Sequence, residues 1–430
     1  MNLIRCGVPA RLRFAAAAAF AAFTAFTALA SFTAAARPAS ASPAALSYTE
    51  TLDLAERASA AVAAGQAALA GARAAQPAAA TLPDPRLAAG LENVPANGAD
   101  RFSTTRDAST MQRLALMQEV PNRARRDART RVADARIERE RAGIAVATLA
   151  ARRDAALAWV AVFHAERRLA LIELLRRENQ IVQDTLPARI AAGQAPPGEL
   201  AMARQEALDL EDRADDLARD VQRARAELRR FVGARANAPL AGAPQLPALA
   251  PDAVRAALHR HAELQPYDAM RAMAAAEMAE AEADRHGDWA WEVAYSRRPR
   301  YDDMVSFQLS IDLPWQRDRR QQPTIDAKRQ EIARVEAERE ETLRRHGADI
   351  EAMLAESAAL ERQLARAQGA ALALADERVA LATAGYQAAR GDLAGVLQAR
   401  AQRLGVRLRA IELEAQRDAL RVRLATLTAE

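Results

Sequence analysis

The sequence has a single cysteine, a single lysine and few aromatic residues, and each shortage excludes a class of protein. Cys6 precedes an apolar run near the N-terminus, so the chain after it has no thiol for a disulfide or a lipid anchor. Lys328 is the only lysine, and the arginines alternate with Glu and Asp instead of forming a basic block with aromatics, which gives nucleic-acid binding no support. No nucleophile elbow, phosphate-binding loop or dinucleotide fingerprint occurs. The sequence therefore predicts a protein that is not an enzyme and binds no cofactor and no nucleic acid.

Alanine, arginine, glutamate and leucine make up most of the chain instead. Half of its 430 residues are hydrophobic but only 4% are aromatic, and the formal net charge is +4. An apolar excess that consists mainly of alanine suits long helices packed closely along narrow seams better than a thick globular core. The composition therefore predicts a mainly α-helical, elongated protein.

The N-terminus resembles an export signal. Arg5, Arg11 and Arg13 precede an uncharged run of Ala, Phe and Leu over residues 14–36, which contains small-residue cleavage patterns. We predict a signal peptide over residues 1–36 and a linker over 37–45. A membrane-anchoring helix is the alternative, because the run is long enough to span a bilayer.

Two segments have the period-two pattern of β-strands rather than the helical pattern of their surroundings. In residues 289–315, alternate positions are apolar or aromatic on both sides of a charged turn, which predicts a β-hairpin. Residues 82–121 predict a second hairpin, although Arg86 and Arg113 interrupt its alternation. Each hairpin fits a membrane strand pair or a soluble sheet with one buried face.

Long proline-poor stretches predict the helices. The predicted helices cover residues 46–76, 122–186, 199–232, 252–285, 324–384 and 392–430, with a Gly/Pro-rich connector over 233–251. We expect Pro187 to end or kink the second of these helices and Asp252 to cap the fourth.

The two halves of the chain repeat one pattern. A spacing of 77 residues separates Pro121 from Gly198, and the same spacing separates Pro314 from Gly391. Each half therefore runs strand, proline, long helix, glycine-containing turn and returning helix, which indicates an internal duplication. We predict a first repeat over residues 46–232 and a second over 252–430, joined by the connector.

A four-stranded sheet in a membrane would leave unpaired edges. Hydrocarbon offers no partner for edge N–H and C=O groups, so only a closed barrel of about eight or more strands is allowed. Two hairpins per chain then require several chains to share one barrel, and three chains would supply twelve strands. Such an assembly is a conduit.

Several motifs together resemble the TolC-type outer membrane efflux proteins. These motifs are LENVP, MQEVP before an Arg-rich helix start, residues 193–200, SIDLPW and YQAARGDLAGVLQA, and the first two look closest to the CzcC/CusC-like heavy-metal branch. The resemblance implies a homotrimer with a 12-strand outer-membrane β-barrel over a periplasmic α-barrel of long helical hairpins. It also implies a periplasmic adaptor protein and an inner-membrane pump of the resistance-nodulation-division (RND) class as partners, with heavy-metal cations as the exported solutes.

The resemblance places adaptor docking at the two glycine-containing turns, which would form the periplasmic tip. The residues concerned are Gly193, Gly198, Glu199, Leu200, Tyr386, Gly391, Asp392 and Leu393. Simple turn and cap roles are the alternative reading of each of these residues. The family pattern Tyr-x-x-Gly is broken here, because Ala389 stands where the glycine is expected. The positions that match the family's acidic aperture residues are Gly395 and Gln398, which argues against an acidic gate.

Other side chains gave further expectations. Five aromatic residues are candidate contacts with the interface of the outer membrane lipid, namely Trp289, Trp291, Tyr295, Tyr301 and Trp315. Arg125 and Arg126, at the start of a helix, predict contact with lipid phosphates, with carboxylates or with solvent. His259 and His261 lie two apart on a predicted helix and point away from each other, so we predict no metal site there.

Two other functions fit the same sequence. A channel of the same fold for drug efflux or for type I protein secretion differs only in its cargo. A periplasmic coiled-coil adaptor or scaffold also contains helical hairpins, but it has no membrane strands.

Overall fold

The computed structural model describes residues 45–247 and 250–428, so the predicted signal peptide lies outside the described residues. Helices and strands alternate in two similar halves. The helices are α1 (Tyr48–Ala58), α2 (Ala60–Ala80), α3 (Arg123–Ala191), α4 (Gly198–Val232), α5 (Pro251–Ala257), α6 (Gln265–Ala283), α7 (Gln321–Arg366), α8 (Leu372–Gln387) and α9 (Leu393–Thr428). The strands are β1 (Arg86–Glu92), β2 (Met111–Val120), β3 (Trp289–Arg297) and β4 (Met304–Ile311). Every helix in the described ranges is too short or too polar to cross a membrane.

Helix α3 is the longest element of the described chain. It begins just after β2 and ends just before the first glycine-containing turn. Its 69 residues rise about 100 Å at 1.5 Å per residue. Asn122 caps its first turn by accepting a hydrogen bond from the Arg125 N–H at 2.9 Å. Of the two outcomes predicted for Pro187, an end or a kink, the end is wrong, because the helix continues to Ala191. Pro187 is exposed, so water can serve the carbonyl that loses its intrahelical partner.

The remaining helices pack along α3 or along α9. α1, α2, α4, α6 and α9 all contact α3, while α7 and α8 contact α9. The largest fully buried side chain is Trp159 of α3, at 0% exposure. Its indole N–H donates to the Leu46 carbonyl at 3.3 Å, and its ring lies 5.7 Å from Tyr48 and 5.5 Å from Phe163. One tryptophan therefore joins the start of the described chain to the long helix.

A buried contact between a histidine and an aspartate also joins the two halves. His164 of α3 and Asp418 of α9 are both buried, and their Nε2 and Oδ2 atoms are 2.9 Å apart. Burial alone would raise the pKa of Asp418, but hydrogen bonds from His164 and Arg417 outweigh it and hold that pKa below its usual value. The Asp418 carboxylate therefore stays charged and fixes α9 against α3.

The strands form one antiparallel sheet in the order β1-β2-β3-β4. Both predicted hairpins are present, and β2 and β3 join them, with Leu116 opposite Val293. Arg113, which weakened the prediction of the first hairpin, points to the less apolar face, where it pairs with Glu92 at 2.9 Å and with Glu292. Its charge is therefore compatible with the strand.

Three predicted helices are interrupted, and the first two break at a small or capping residue. The helix expected over residues 46–76 breaks at Ser59, whose extended backbone ends α1 and whose hydroxyl accepts from the Val62 N–H to cap α2. The helix expected over 324–384 starts earlier, at Gln321, and is disturbed around Gly369, whose φ/ψ of −92°/−105° is not helical. In both cases a small or capping residue allows the break.

The helix expected over residues 252–285 is also interrupted. Two 3₁₀ turns, Leu258–Arg260 and Ala262–Leu264, separate α5 from α6. Pro266 lies at the first helical positions of α6, where its missing N–H costs no hydrogen bond, so it favours a new helix start. Asp252 is not a cap as predicted, because Ala250 occupies the N-cap position of α5.

Candidate functional site

The sheet presents an apolar face to its surroundings. The strand register places Leu87, Leu116, Val293 and Phe307 in one row across the four strands. All four side chains are exposed, and Phe307 is 70% exposed. A neighbouring row contains Ala89, Leu114, Tyr295 and Val305. Isolated exposed apolar residues are common, but a contiguous exposed face of this kind marks an interaction surface.

The opposite face of the sheet carries small and polar residues. Ala115, Ala294 and Ser306 occupy one row, and Glu292 faces Gln308 in another. The two outer strands leave one edge each without a strand partner within the described chain, and all residues of β4 are exposed. The sheet is therefore amphipathic and open on both sides.

A polar cluster fixes the sheet to the helices. The Asp288 carboxylate, just before β3, accepts hydrogen bonds from the Asn122 N–H at 2.8 Å and from Arg125 at 2.6 Å. Arg125 also lies 3.3 Å from Asp284. Lipid phosphates, carboxylates and solvent were the contacts expected for Arg125, and the structure shows the contact with carboxylates. Sequence reasoning did not single out Asp288, although an acidic residue before a strand and an Arg-rich helix start were both visible.

Gly287 lies in the same junction and leaves no room for a side chain. A Cβ atom at this position would be 1.7 Å from the backbone oxygen of Asp312, just after β4. The Asp312 N–H donates to the Asp288 carbonyl at 2.8 Å, which holds the two backbones together. Gly287 is therefore required for the close approach of the chain segments that flank β3 and β4.

The two glycine-containing turns meet at the far end of α3. Leu186, Ala195 and Ala203 of the first repeat form a buried cluster with Leu393 and Val396 of the second. Leu200 and Tyr386 pack against this cluster from the side. The structure therefore brings Leu200, Tyr386 and Leu393, which were predicted from the tip motifs, into one place at the end of α3 that is opposite the sheet.

Glu199 and Tyr386 contact each other directly across the two turns. The Tyr386 hydroxyl donates to the buried Glu199 carboxylate and accepts a hydrogen bond from Arg189 at 2.9 Å. Burial raises the pKa of Tyr386, and the hydrogen bond to Glu199 raises it further, so the phenol keeps its proton. Asp392 has a different role, because its side chain caps α9 by accepting from the Gly395 N–H at 2.9 Å.

Both turns end their helices in the same way. After α3, the Gln194 N–H donates to the Arg189 carbonyl at 2.8 Å, and Gly193 adopts a φ of +69°. After α8, the Arg390 N–H donates to the Gly385 carbonyl at 2.9 Å. Ala389 occupies the left-handed position there, with a φ of +56°. The break in the Tyr-x-x-Gly pattern therefore puts alanine where the helix-ending motif favours glycine.

Replacing Ala389 with glycine is expected to stabilise the protein by about 0.5–1 kcal/mol, because glycine adopts the left-handed conformation without a Cβ clash. Ala388 is the matched control, since it is equally exposed but has a φ of −84°. Ala388→Gly is expected to lower stability by up to about 1 kcal/mol. Urea unfolding followed by circular dichroism compares the two variants. Equal shifts in the same direction would contradict the strain at Ala389.

Other predicted tip residues serve the turn without joining this contact. Gly198 begins α4, and neither Gly198 nor Gly391 has a positive φ.

The five candidate interface aromatics lie on or beside the second hairpin. Trp289 begins β3 and Trp315 follows β4, whereas Tyr301 lies in the turn between them. These aromatics therefore mark both ends of the strands.

A group of three potential metal ligands was missed. His261, Glu263 and His346 lie together where the break between α5 and α6 packs against α7. His259 is exposed and does not join them. His261 lies outside a regular α-helix, so helix geometry does not exclude it from a metal site.

Comparisons with known proteins place the fold. No protein-family model matches the chain, and no curated protein sequence matches it. Solved structures do match. A membrane protein from Pseudomonas aeruginosa superimposes with a TM-score of 0.74 and 18% identity, over 89% of this chain and 90% of that one. The outer membrane protein VceC from Vibrio cholerae gives 0.72 and 17%, over 89% and 96%. CusC, whose structures concern transmembrane channel formation, gives 0.72 and 16%, over 89% and 92%.

At these identities the likeness establishes the fold. The alignments cover nearly the whole of each matched chain, so both the helical hairpins and the sheet take part. The sequence predicted a mainly helical chain with a small β part, and this prediction is confirmed. The chain has the fold of outer membrane channel proteins of the TolC type.

Proposed function

We propose that this protein is the outer membrane channel subunit of a tripartite efflux system. It would be a passive conduit that works as a homotrimer in the outer membrane and extends into the periplasm. The observation that carries the proposal is the amphipathic four-stranded sheet at one end of a helical assembly about 100 Å long.

In this proposal the exposed apolar face of the sheet contacts membrane lipid. Strands of seven to ten residues approach the length that a tilted strand needs to cross a bilayer. The apolar row that contains Phe307 would face hydrocarbon, and the row of small and polar residues would face the lumen. The aromatics at both ends of the second hairpin would lie at the two membrane interfaces.

The open strand edges support sharing of the sheet between subunits. Edge N–H and C=O groups in hydrocarbon must be paired, so β4 of one subunit would pair with β1 of the next. Three copies would close a twelve-stranded barrel, which lies within the range of outer membrane barrels. The helical hairpins below would then surround a periplasmic tunnel.

The opposite end would meet a periplasmic adaptor, and through it an inner-membrane pump of the RND class. The contact of Glu199 with Tyr386 gives this end a defined surface made from both repeats.

Heavy-metal cations are the proposed cargo, on the strength of the motifs that resemble the CzcC/CusC-like branch. Drug efflux and type I protein secretion are alternatives with the same architecture.

A charge on the apolar face tests the proposal. Phe307→Arg should remove the protein from the outer membrane fraction and abolish its sodium dodecyl sulfate-resistant trimer. An arginine at the middle of the lipid face of a strand costs about 2–4 kcal/mol per subunit. The next residue gives a matched control, because Gln308 is also exposed but lies on the opposite face of the same strand. Gln308→Arg should assemble normally.

Growth of a deletion strain that carries these variants completes the test. We expect wild type and Gln308→Arg to restore tolerance to zinc, cobalt and copper salts, and Phe307→Arg to fail. Normal membrane assembly of Phe307→Arg would contradict the membrane face. Restored drug tolerance with unchanged metal tolerance would replace the heavy-metal cargo with drugs and leave the channel proposal intact.

A further inference from the structure

The break between α5 and α6 is held firmly against the middle of α7. Leu258 lies beside Gly347, where an added Cβ would be 3.6 Å from the leucine Cδ2 atom. On the other side of the break, the Tyr267 hydroxyl lies 2.9 Å from the Thr342 hydroxyl. His346 is on α7 between these two contacts. The geometry of the segment that carries His261 and Glu263 is therefore fixed relative to His346.

Three side chains converge at this contact. One ligand atom from each of His261, Glu263 and His346 can be chosen so that all three lie within 4.8 Å of one another. Nε2 of His346 is 2.9 Å from a Glu263 carboxylate oxygen, and the two imidazole ring centres are 4.8 Å apart. Ligand atoms around a tetrahedral zinc ion with bonds near 2.0–2.1 Å are about 3.3 Å apart. Small side-chain rotations would therefore bring the three atoms to bonding distance of one ion.

Of the two imidazole nitrogens at the centre of this group, one has no hydrogen-bond partner and the other has only a poorly aligned contact. His261 is 2% exposed and His346 is 8% exposed, and Nε2 of each ring is buried. Nε2 of His261 has no hydrogen-bond partner, whereas Nε2 of His346 lies 2.9 Å from Glu263 without the alignment of a hydrogen bond. Native proteins rarely leave buried polar atoms unpaired, and a bound ion is one of the standard reasons for an exception. Two buried imidazole nitrogens beside one carboxylate make a ligand set that could hold such an ion.

We propose that His261, Glu263 and His346 bind one divalent transition-metal ion of the zinc class in each chain. Two imidazoles and one carboxylate suit zinc and its neighbours in the transition series, whereas magnesium and calcium prefer oxygen ligands. A water molecule would take the fourth position. The Glu263 side chain is 38% exposed, which gives the ion a path from solvent. The site does not depend on what the channel exports.

Metal binding would replace one weak hydrogen bond and the contact between Glu263 and His346 with three metal–ligand bonds. The Glu263 N–H now donates to Nδ1 of His261 over a long distance of 3.3 Å. A metal ion on Nε2 of His261 leaves the ring proton on Nδ1, so this hydrogen bond must be given up. The ion would then tie the 3₁₀ turn Ala262–Leu264 to α7. The site therefore connects the break in the second repeat to its long helix.

Metal titration of the purified full-length protein in detergent tests the site. After removal of metals with a chelator, Co²⁺ is added as a spectroscopic probe and Zn²⁺ is used to displace it. We expect one equivalent per chain, a tetrahedral Co²⁺ spectrum and no competition by Mg²⁺. His261→Gln and His346→Gln should each lower the affinity at least about 100-fold, because each removes a direct ligand.

His259 supplies the matched control. It belongs to the same segment as His261 but is exposed and lies outside the cluster, so His259→Gln should bind as wild type. Urea unfolding of the metal-free proteins shows whether each variant is folded, and Glu263→Gln replaces any variant that is not. Absence of stoichiometric Zn²⁺ binding by the wild type would overturn the proposal. Equal affinity of wild type and His346→Gln, or an equal loss in His259→Gln, would also overturn it.

Discussion

Gly287→Ala is expected to destabilise the protein by at least about 3 kcal/mol, the upper end of the usual cost of overpacking a closed site. The new Cβ would lie 1.7 Å from the Asp312 backbone oxygen and 2.8 Å from its carbonyl carbon. These are backbone atoms, so no side-chain rotation can relieve the clash. The two chain segments would have to separate, and the hydrogen bond from Asp312 to Asp288 would be lost with them.

Gly143→Ala is the matched control for this substitution. Gly143 is exposed in the first third of α3, and an added Cβ would meet nothing within 4 Å. This variant should gain up to about 1 kcal/mol from the higher helix propensity of alanine. Urea midpoints from circular dichroism measure both effects. If the two variants unfolded at the same urea concentration, the close approach at Gly287 would not matter for stability.

Trp159→Ala is expected to cost about 4 kcal/mol, within the range for removal of a large aromatic side chain from a core. The substitution leaves a cavity between Tyr48 and Phe163. It also removes the donor to the Leu46 carbonyl. The first described residues should therefore be held less firmly against α3, which limited proteolysis would detect as faster cleavage near residue 46.

Trp315→Ala is the control for this prediction. Trp315 is 84% exposed, so its loss should leave the urea midpoint within about 0.5 kcal/mol of wild type. The same variant tests the proposed interface aromatics, because an interface role predicts weaker membrane insertion at unchanged stability. Equal destabilisation by the two substitutions would contradict the core role of Trp159.

Much of the fold follows from local pattern. The alternation in residues 305–313 places Phe307 and Leu309 on one face, and the structure has β4 there with those side chains exposed. The long helices follow from stretches with few prolines, and the turns from their glycines. Such signals extend over several residues and need no knowledge of distant contacts.

The features that sequence reasoning missed depend on contacts between distant residues or on tolerance of unfavourable ones. Pro187 is accepted within α3 because its side of the helix is exposed, which no local rule shows. The break before Pro266 was visible in principle, since proline favours the first turn of a helix. The partner of His261 was not visible, because His346 follows it only after α6, two strands and half of α7.

The order of strands in the sheet has a consequence for the kinetics of folding. The pairs β1–β2 and β3–β4 each close a loop within one hairpin, whereas β2 and β3 meet only after the intervening residues 121–288 are in place. Closing a longer loop costs more chain entropy, and contacts between distant segments slow folding. The pairing of β2 with β3 should therefore form last. Hydrogen-exchange labelling during refolding would show late protection at β2 and β3.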